Sequence, residues 1–570
     1  ELALGDFFQR NVNHLSEEEK GDPDNWTRLL EPVRTPYGES GSLLLRTSTS
    51  SEALAPAGLD EVLWMMEELR DQTGRPLGVE FRYGPGTGIV FVKRIERVPG
   101  SWRLKLRIAI ENIENTAAAS GPPSTFLLTP AGCMPEELGD RFYREPRAVA
   151  IGGTDDDWDL EWEHAGGVRD ESGSLDVAPP LLVVGAHNKY FAFLLRGADD
   201  DGDMGRHSLK GATYRGVKDL DYADEHPDDP KGAWRYVAAD VQLDLRVPEV
   251  GSTNVYEYTI YAGPKDPRVL KADYEAQFLI YEKDLSTFST IGKAILFVLR
   301  FFHGLVGNMG VAIILLTLCV RGALFPLNRR SQTAMARYQK KMKRVQPKLE
   351  EIKQTHANDA KKLREAQAKL MQEEGAFPPI GGCLPMFLQM PIFFGLFSAL
   401  RTAFDLRQEP FFFWIDDLAR PDRLFEINLP LPIIGTIQYL NLLPLLMMAL
   451  MLTQQLGMPK PTDEQAARMQ KMMMFMPFMF GFFLYSYAAG LSLYVITSST
   501  FGIIEMRVIK KIWPIDDSEP VKKKKSGCAP FAGMMKNLAE KQREQRKRME
   551  QMKHGLVPRQ TRKKKGKKRH

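Results

Sequence analysis

Four long apolar stretches between residues 285 and 509 constrain this chain more than any other feature. Residues 305–327 read LVGNMGVAIILLTLCVRGALFPL, 384–404 read LPMFLQMPIFFGLFSALRTAF, and 431–452 read LPIIGTIQYLNLLPLLMMALML. The fourth, 472–504, runs 33 residues without a charge. A helix needs about 20 apolar residues to cross about 30 Å of hydrocarbon. Each of the first three stretches therefore predicts one crossing, and the fourth predicts one long helix or two short ones.

Charge chooses between those two. Residues 1–280 hold 49 acidic and 30 basic side chains, a net of −19. Residues 281–520 hold 20 acidic and 27 basic, and residues 521–570 hold 3 acidic and 19 basic. The loop 328–375 holds 13 basic and 6 acidic residues. Lys/Arg excess marks cytoplasmic segments, so this loop and the tail are expected inside and the acidic half outside. That arrangement requires an odd number of crossings. The fourth stretch is therefore expected to break near 488–490, giving five spans at about 305–327, 384–404, 431–452, 472–487 and 491–507. The last two are short, which implies local thinning of the bilayer. Export of residues 1–280 would also call for a signal or anchor ahead of Glu1, or one since cleaved.

Upstream of the first span, Phe288, Ile291, Ile295, Val298, Leu299 and Phe302 recur at helical spacing, with Lys293 and Arg300 among the other positions. This predicts an interfacial amphipathic helix over 285–304. A single tilted helix running on into the span is the other reading. Residues 1–280 form the predicted outer domain. Within it, short β-branched and aromatic runs at 42–46, 88–94, 102–110, 181–185, 190–196, 241–247 and 255–262 alternate with Gly, Pro and Asp turns. That pattern predicts an all-β sandwich. The acidic runs at 155–157 and 199–203 lack the ligand ladder and closing Glu of a calcium loop, so they are expected to be solvated turns.

Arg321 sits inside the first span, six residues before its end. An arginine at such depth costs at least about 2.5 kcal/mol, so it should face water or a partner. The other spans as expected hold no interior Asp or Glu, and Glu505 sits just past the last apolar stretch. No ion-pair partner is therefore expected. A wet groove open to the cytoplasm is the simplest solution, lined by Thr317, Gln389, Thr436, Gln438, Asn441, Ser492, Thr497 and Ser498. Snorkelling of Arg321 to headgroups is the alternative.

In the loop after it, Met335, Tyr338, Met342, Val345, Leu349 and Ile352 recur at spacings of three and four, and Leu363, Ala366 and Leu370 continue the seam beyond Asn358 and Asp359. This predicts a cytoplasmic helical hairpin over 328–375. Its basic face carries Arg337, Lys340, Lys341, Lys343 and Arg344. The tail, 510–570, carries Lys522, Lys523, Lys524, Lys525, Lys563, Lys564 and Lys565. Such charge suits RNA phosphates or anionic lipid equally.

Several classes drop out. Four cysteines without CxxC spacing argue against a disulfide scaffold or a structural zinc site. There is no phosphate-binding loop, HExxH or nucleophile elbow, so no enzyme activity, metal or other cofactor is expected. A secondary transporter would show midplane acids and internal repeats. A lipid-handling protein or a structural membrane scaffold stays as the alternative function.

The runs VRGALFPL (320–327), PPIGGCLPMFLQMPIFFGLF (378–397), LRQEPFFFWIDDL (406–418) and FMPFMFGFFLYSYAAGLSLYVITSS (475–499), in this order with the basic hairpin, closely resemble the YidC/Oxa/Alb family of membrane protein insertases. The acidic domain is similar in position and size to the periplasmic domain of the Gram-negative type, a mutarotase-like β-sandwich. The resemblance implies a multi-pass protein of the bacterial inner membrane, with a five-helix core and a hydrophilic groove closed to the outside. It implies insertion and folding of nascent membrane proteins, alone or with the Sec translocon. Substrates would come from ribosomes, contacted through hairpin and tail, with membrane lipids as further partners and no small-molecule substrate. Arg321 then holds the place of the family's groove arginine, with Thr317 one turn before it. Tyr494 matches the first of an aromatic pair, whose second position is Val495 here. Relatives of this type also begin with an N-terminal anchor helix.

Overall fold

The computed structural model describes residues 2–8, 26–30, 33–35, 38–40, 42–119, 121–135, 146–154, 157–198, 204–227, 232–285, 289–356, 359–374, 380–431, 435–457 and 464–512. The acidic run 199–203, Asp155, Asp156, Phe288, Asn358 and all seven tail lysines lie outside the described residues. Two compact units are formed. The larger comprises Glu1–Arg329, Leu384–Pro459 and Arg468–Val508; the other comprises Arg330–Cys383, Lys460–Ala467 and Ile509–His570.

Fourteen strands build the main sheets of the larger unit: β1 Leu44–Thr47, β2 Met65–Arg70, β3 Pro76–Tyr83, β4 Ile89–Arg97, β5 Arg103–Asn112, β6 Ser124–Ala131, β7 Arg147–Thr154, β8 Asp157–His164, β9 Ser172–Leu175, β10 Leu181–His187, β11 Phe191–Gly197, β12 Leu209–Val217, β13 Tyr236–Leu245 and β14 Ser252–Pro264. A nine-stranded sheet runs β8-β7-β10-β11-β14-β5-β4-β3-β2, and a five-stranded sheet runs β9-β12-β13-β6-β1. Both are antiparallel. Strand β13 lies over β7 and β10, and β6 lies over β10 and β11, so the two sheets form the expected sandwich. Each of the seven β-type runs contains a strand.

Alternation sets the register. On β5, Leu106, Ile108 and Ile110 are buried while Lys105 and Arg107 are exposed. Their partners on β14, Tyr258 opposite Leu106 and Tyr256 opposite Ile108, are buried too. Phe91 of β4 meets Phe126 of β6 edge-on at 5.7 Å. Each such side chain contributes about 1.5–3 kcal/mol. Strands β10 and β11 are buried along their whole length, because both faces of the sheet are covered there.

Part of the second cover is α1 (Pro267–Asp273) and α2 (Phe278–Asp284). Arg103 of β5 pairs with Asp273, and Lys283 donates to the Leu160 carbonyl at 2.6 Å. At the end of α2 lies a buried ionic knot. Asp284 takes Lys265 Nζ at 2.7 Å and Arg147 Nη1 at 2.7 Å, and the Asp284 and Lys265 side chains are both 0% exposed. Lys265 also donates to His187 Nδ1 at 3.2 Å and to the Asn188 carbonyl at 2.5 Å, and Arg147 stacks on Trp162 at 4.4 Å. Burial and then the charge of Lys265 hold the His187 pKa well below its usual range. For Asp284 burial pushes upward, but Lys265 and Arg147 outweigh it and hold the carboxyl low.

The helical part of the chain follows as α3 (Ser289–Val306), α4 (Met309–Thr355), α5 (Ala360–Glu373), α6 (Ile380–Thr402), α7 (Leu442–Leu456), α8 (Glu464–Phe483) and α9 (Ala489–Ile512). The expected interfacial helix is α3. It is separate from α4: Gly307 adopts φ +66°, and Asn308 Oδ1 accepts from Val311 N at 3.0 Å to start α4. Ile295 and Leu299 are buried, and Phe297, Phe301 and Leu305 form an exposed apolar stripe. Gly292 and Gly395 let α3 cross α6: a side chain at 395 would press on Ile291. Arg300 of α3 grips Asp405 Oδ2 at 2.6 Å, and Arg268 of α1 reaches Asp405 Oδ1 at 3.4 Å. Phe404 packs edge-on against Phe191 at 5.8 Å and Tyr190 at 6.2 Å. The β-sandwich and the segment after α6 are thus joined by packing and charge.

Three expectations are corrected. The helix that holds the first expected span does not end at Leu327. Despite Pro326 and Pro347, α4 is one helix of 47 residues, about 70 Å long at 1.5 Å per residue, and it supplies one arm of the hairpin. The stretch 431–452 is not one helix. Its first part pairs as β15 (Phe425–Leu431) with β16 (Gly435–Leu440), and only 15 residues remain for α7. Pro430 and Pro432 lack the N–H a helix needs, while Gly435 and the β-branched run Ile433, Ile434, Thr436 and Ile437 suit a hairpin. The third correction concerns the partner of Arg321, given below. The fourth stretch does break where expected, between Phe483 and Ala489. Among the described residues, α4 and α9 are long and apolar enough to cross a membrane. Exposed Met472, Phe475, Phe478, Phe482 on α8 and Phe394 on α6 add apolar surface beyond that of an ordinary soluble domain.

Within the second unit, Met342, Val345 and Leu349 of α4 bury against Leu370 of α5, with Tyr338, Ile352 and Met371 around them. Asp359 caps α5, its Oδ1 accepting from Lys361 N and Lys362 N at 3.1 Å. This is the expected hairpin. Arg337, Lys343 and Arg344 are exposed on it, and Lys340 and Lys341 are half-buried.

Candidate functional site around Arg321

Arg321 lies on the fourth turn of α4, in the apolar run LTLCVRGAL. Its partners come from α9. Ser498 Oγ accepts from Arg321 Nε at 3.1 Å and from Nη2 at 2.7 Å. Glu505 Oε2 lies 3.7 Å from Arg321 Nη1. The expectation of no acidic partner is therefore corrected. Glu505 follows the apolar run directly. However, α9 continues to Ile512, and position 505 is seven residues, about two turns, beyond Ser498. That spacing places both on the face turned to α4. The Arg321 side chain is 21% exposed and that of Glu505 is 9% exposed.

The two contacts differ in kind. Ser498 makes hydrogen bonds to a cation, worth about 1.5–3 kcal/mol. At 3.7 Å the carboxylate attracts the guanidinium but is beyond hydrogen-bond distance. Asn328 Nδ2, two turns further along α4, reaches Glu505 Oε2 at 3.4 Å. Glu505 Oε1 is buried with no hydrogen-bond partner among the described residues. Gly502 leaves the room this needs: a Cβ there would come within 2.7 Å of Gln454 Nε2 and 3.5 Å of Arg321 Nη1. Gln454 of α7 and Asn328 are thus site residues that composition and spacing did not mark.

The other expected groove residues divide. Tyr494, one turn before Ser498, is buried, and its hydroxyl accepts from Gln389 Nε2 of α6 at 2.8 Å. Gln389, Tyr494, Ser498 and Arg321 therefore come together. Thr317 and Thr497 are buried with their hydroxyls spent on their own helices, donating to the Ile313 and Leu493 carbonyls at 2.7 and 2.8 Å. Ser492 is buried, its Oγ without a partner among the described residues. Asn441 bonds elsewhere and Gln438 is exposed, so neither joins this group among the described residues, and the side chain of Thr436 is not among those described. Thr436 and Gln438 lie on β16, Gln438 exposed. Asn441 caps the hairpin end instead. It accepts from Arg423 N at 3.1 Å and donates to the Tyr485 carbonyl at 2.8 Å, so it holds the turn between α8 and α9.

Residues 301–516 match the model of the family described as 60Kd inner membrane protein. The matched segment is less than half of the chain. It contains α4, α6, α7 and α9 and every side chain of the Arg321 cluster. Among similar proteins, a membrane protein insertase YidC of Pelobacter propionicus is 36% identical over 262 residues, 46% of this chain and 46% of that protein. One of Shewanella sp. strain ANA-3 is 38% identical over 261 residues, 45% of this chain and 43% of that protein. The chain thus spans about half the length of the curated relatives it matches. The crystal structure of YidC from Thermotoga maritima matches over 85% of this chain and 93% of that one, at 12% identity and a TM-score of 0.28.

Proposed function

We propose that this chain is a membrane protein insertase and chaperone of the bacterial inner membrane, working alone or beside the Sec translocon. The observation that carries the reading is Arg321, a cation set among apolar helices whose hydrogen bonds among the described residues go to Ser498, on one side. A packed scaffold has no use for a charge whose insertion costs about 2.5–3.5 kcal/mol. A protein that draws polar segments into a membrane does. In this reading α4, α6, α7, α8 and α9 cross the membrane, the β-sandwich is a periplasmic domain of mutarotase-like type, and the hairpin and tail face the cytoplasm. Nascent membrane proteins would arrive from ribosomes held by the basic hairpin face and tail.

The mechanism uses no covalent step. A polar tail or loop of the substrate enters beside α4 and α9, where Arg321 offers positive potential to its acidic groups. The 15-residue α7 spans only about 22 Å, so the bilayer beside it thins and the barrier shortens. Apolar substrate segments then move into lipid at about 25 cal/mol per Å² buried.

The test is reconstitution in liposomes, with protease-protected insertion of a small single-span substrate as the readout. Wild-type protein should insert it, and Arg321→Ala should insert acidic-tailed substrates far less. Equal insertion by both would remove Arg321 from the mechanism. Lipid flux without insertion would favour a lipid-handling protein.

A further inference from the structure

We infer that Glu505 is a built-in counter-ion for Arg321, which an acidic group of an incoming substrate displaces, and that it sets how strongly acidic tails are favoured. The inference deepens the reading above and rests on it.

Three observations carry it. Glu505 stands 3.7 Å from Arg321, near enough to pair and too far to hydrogen-bond. The guanidinium spends Nε and Nη2 on one Ser498 oxygen, so the Nη1 end is the one left toward a carboxylate. The Glu505 carboxylate is also weakly held, with one 3.4 Å contact from Asn328 to Oε2 and no hydrogen-bond partner for Oε1 among the described residues. A pair meant to lock two helices would close to about 2.8 Å and be bidentate. This one neutralises the site while leaving the arginine able to take a better acceptor. A substrate carboxylate reaching Nη1 would make the hydrogen bonds Glu505 does not. Glu505 would then be released toward Asn328 and water. Competition of this kind lowers affinity for every acid and rejects those too weak to displace the resident one.

Two measurements on the full chain in phosphatidylcholine vesicles test this. The first needs no substrate: the rate of Arg321 modification by phenylglyoxal, read by peptide mass spectrometry with exposed Arg337 as internal standard. Glu505→Gln, which keeps the shape of the side chain, should speed modification of Arg321 several-fold. An unchanged rate overturns the inference. The second compares insertion of one single-span substrate bearing an acidic or a neutral tail. Glu505→Gln should raise the acidic-to-neutral ratio about fivefold or more, the lower end of typical coupling between ligands. A fall in that ratio would overturn the inference, because Glu505 would then position Arg321 rather than compete for it. If wild-type protein inserts neither substrate, the insertase reading fails, and the modification rate still decides the role of Glu505.

Discussion

Two buried ionic clusters of this protein are built in opposite ways. At the base of the β-sandwich, Asp284 is held by Lys265 and Arg147 at 2.7 Å each, and Lys265 reaches on to His187 and the Asn188 carbonyl. Among the membrane helices, Arg321 has one serine and a carboxylate at 3.7 Å. A buried charge is tolerated only when its partners repay its desolvation. The first cluster repays it and is a joint: it ties β7, β10 and the start of the connection to α1 to the end of α2. The second leaves bonding capacity unused. Unused capacity in a low-dielectric site is costly to folding, and it is available to a ligand.

Removing a partner from the tightly paired cluster should do the most damage. Asp284→Asn removes the carboxylate that Lys265 and Arg147 share. It should cost about 3–5 kcal/mol, visible as a large drop in the melting temperature followed through Trp162, which stacks on Arg147. A small drop would mean that water reaches the cluster and that the contrast between the two sites is weaker than drawn.

Acid should also distinguish the clusters. The folded pKa of His187 lies well below 6.5 and that of Asp284 below 3.8. In both cases the unfolded chain takes up the proton first, so stability is full above about 6.5 and declines as pH falls. The decline should begin below about 6.5 with His187 and steepen below about 3.8 with Asp284. His187→Gln should flatten the first limb in melts of the full chain between pH 5 and 7. A limb that persists in this variant would assign it to another group.

Asp405→Asn tests the charged part of the joint between sandwich and helices. Arg300 and Arg268 would lose their shared acceptor, and their partial exposure limits the loss to about 1.5 kcal/mol. Faster amide exchange confined to α1 and α3 is the expected readout, and no change would place the joint's strength in Phe404 and its aromatic contacts. Glu505→Gln should matter least for folding, about 1 kcal/mol or less, since no short hydrogen bond is broken. A loss as large as that of Asp284→Asn would show the Arg321 site to be structural after all.

Much of this was legible in the residues. Alternation on 102–110 and 255–262 placed β5 and β14, and the seam Met342, Val345, Leu349 and Leu370 placed the hairpin. The break in the uncharged run 472–504 followed from charge. These are local signals, in which the period of the apolar positions already states which face is buried. Arg321 was likewise recognisable as a site residue, because a charge inside an apolar run is anomalous wherever it packs.

Other features depended on contacts between distant segments. The run 431–452 is apolar enough for a helix, and only its pairing with Phe425–Leu431 made its first part a strand, on which Gln438 is exposed. Thr317 and Thr497 are polar in composition, yet their hydroxyls bond back to their own helices. Asp284, Lys265, His187 and Arg147 are ordinary residues of an acidic domain until four separate segments meet. Glu505 follows the apolar run by one residue and so counted as lying outside it. The facing of α4 and α9 brought it to Arg321, because a charge pair is a property of two helix faces at a common height, and one-dimensional hydropathy records neither face nor height.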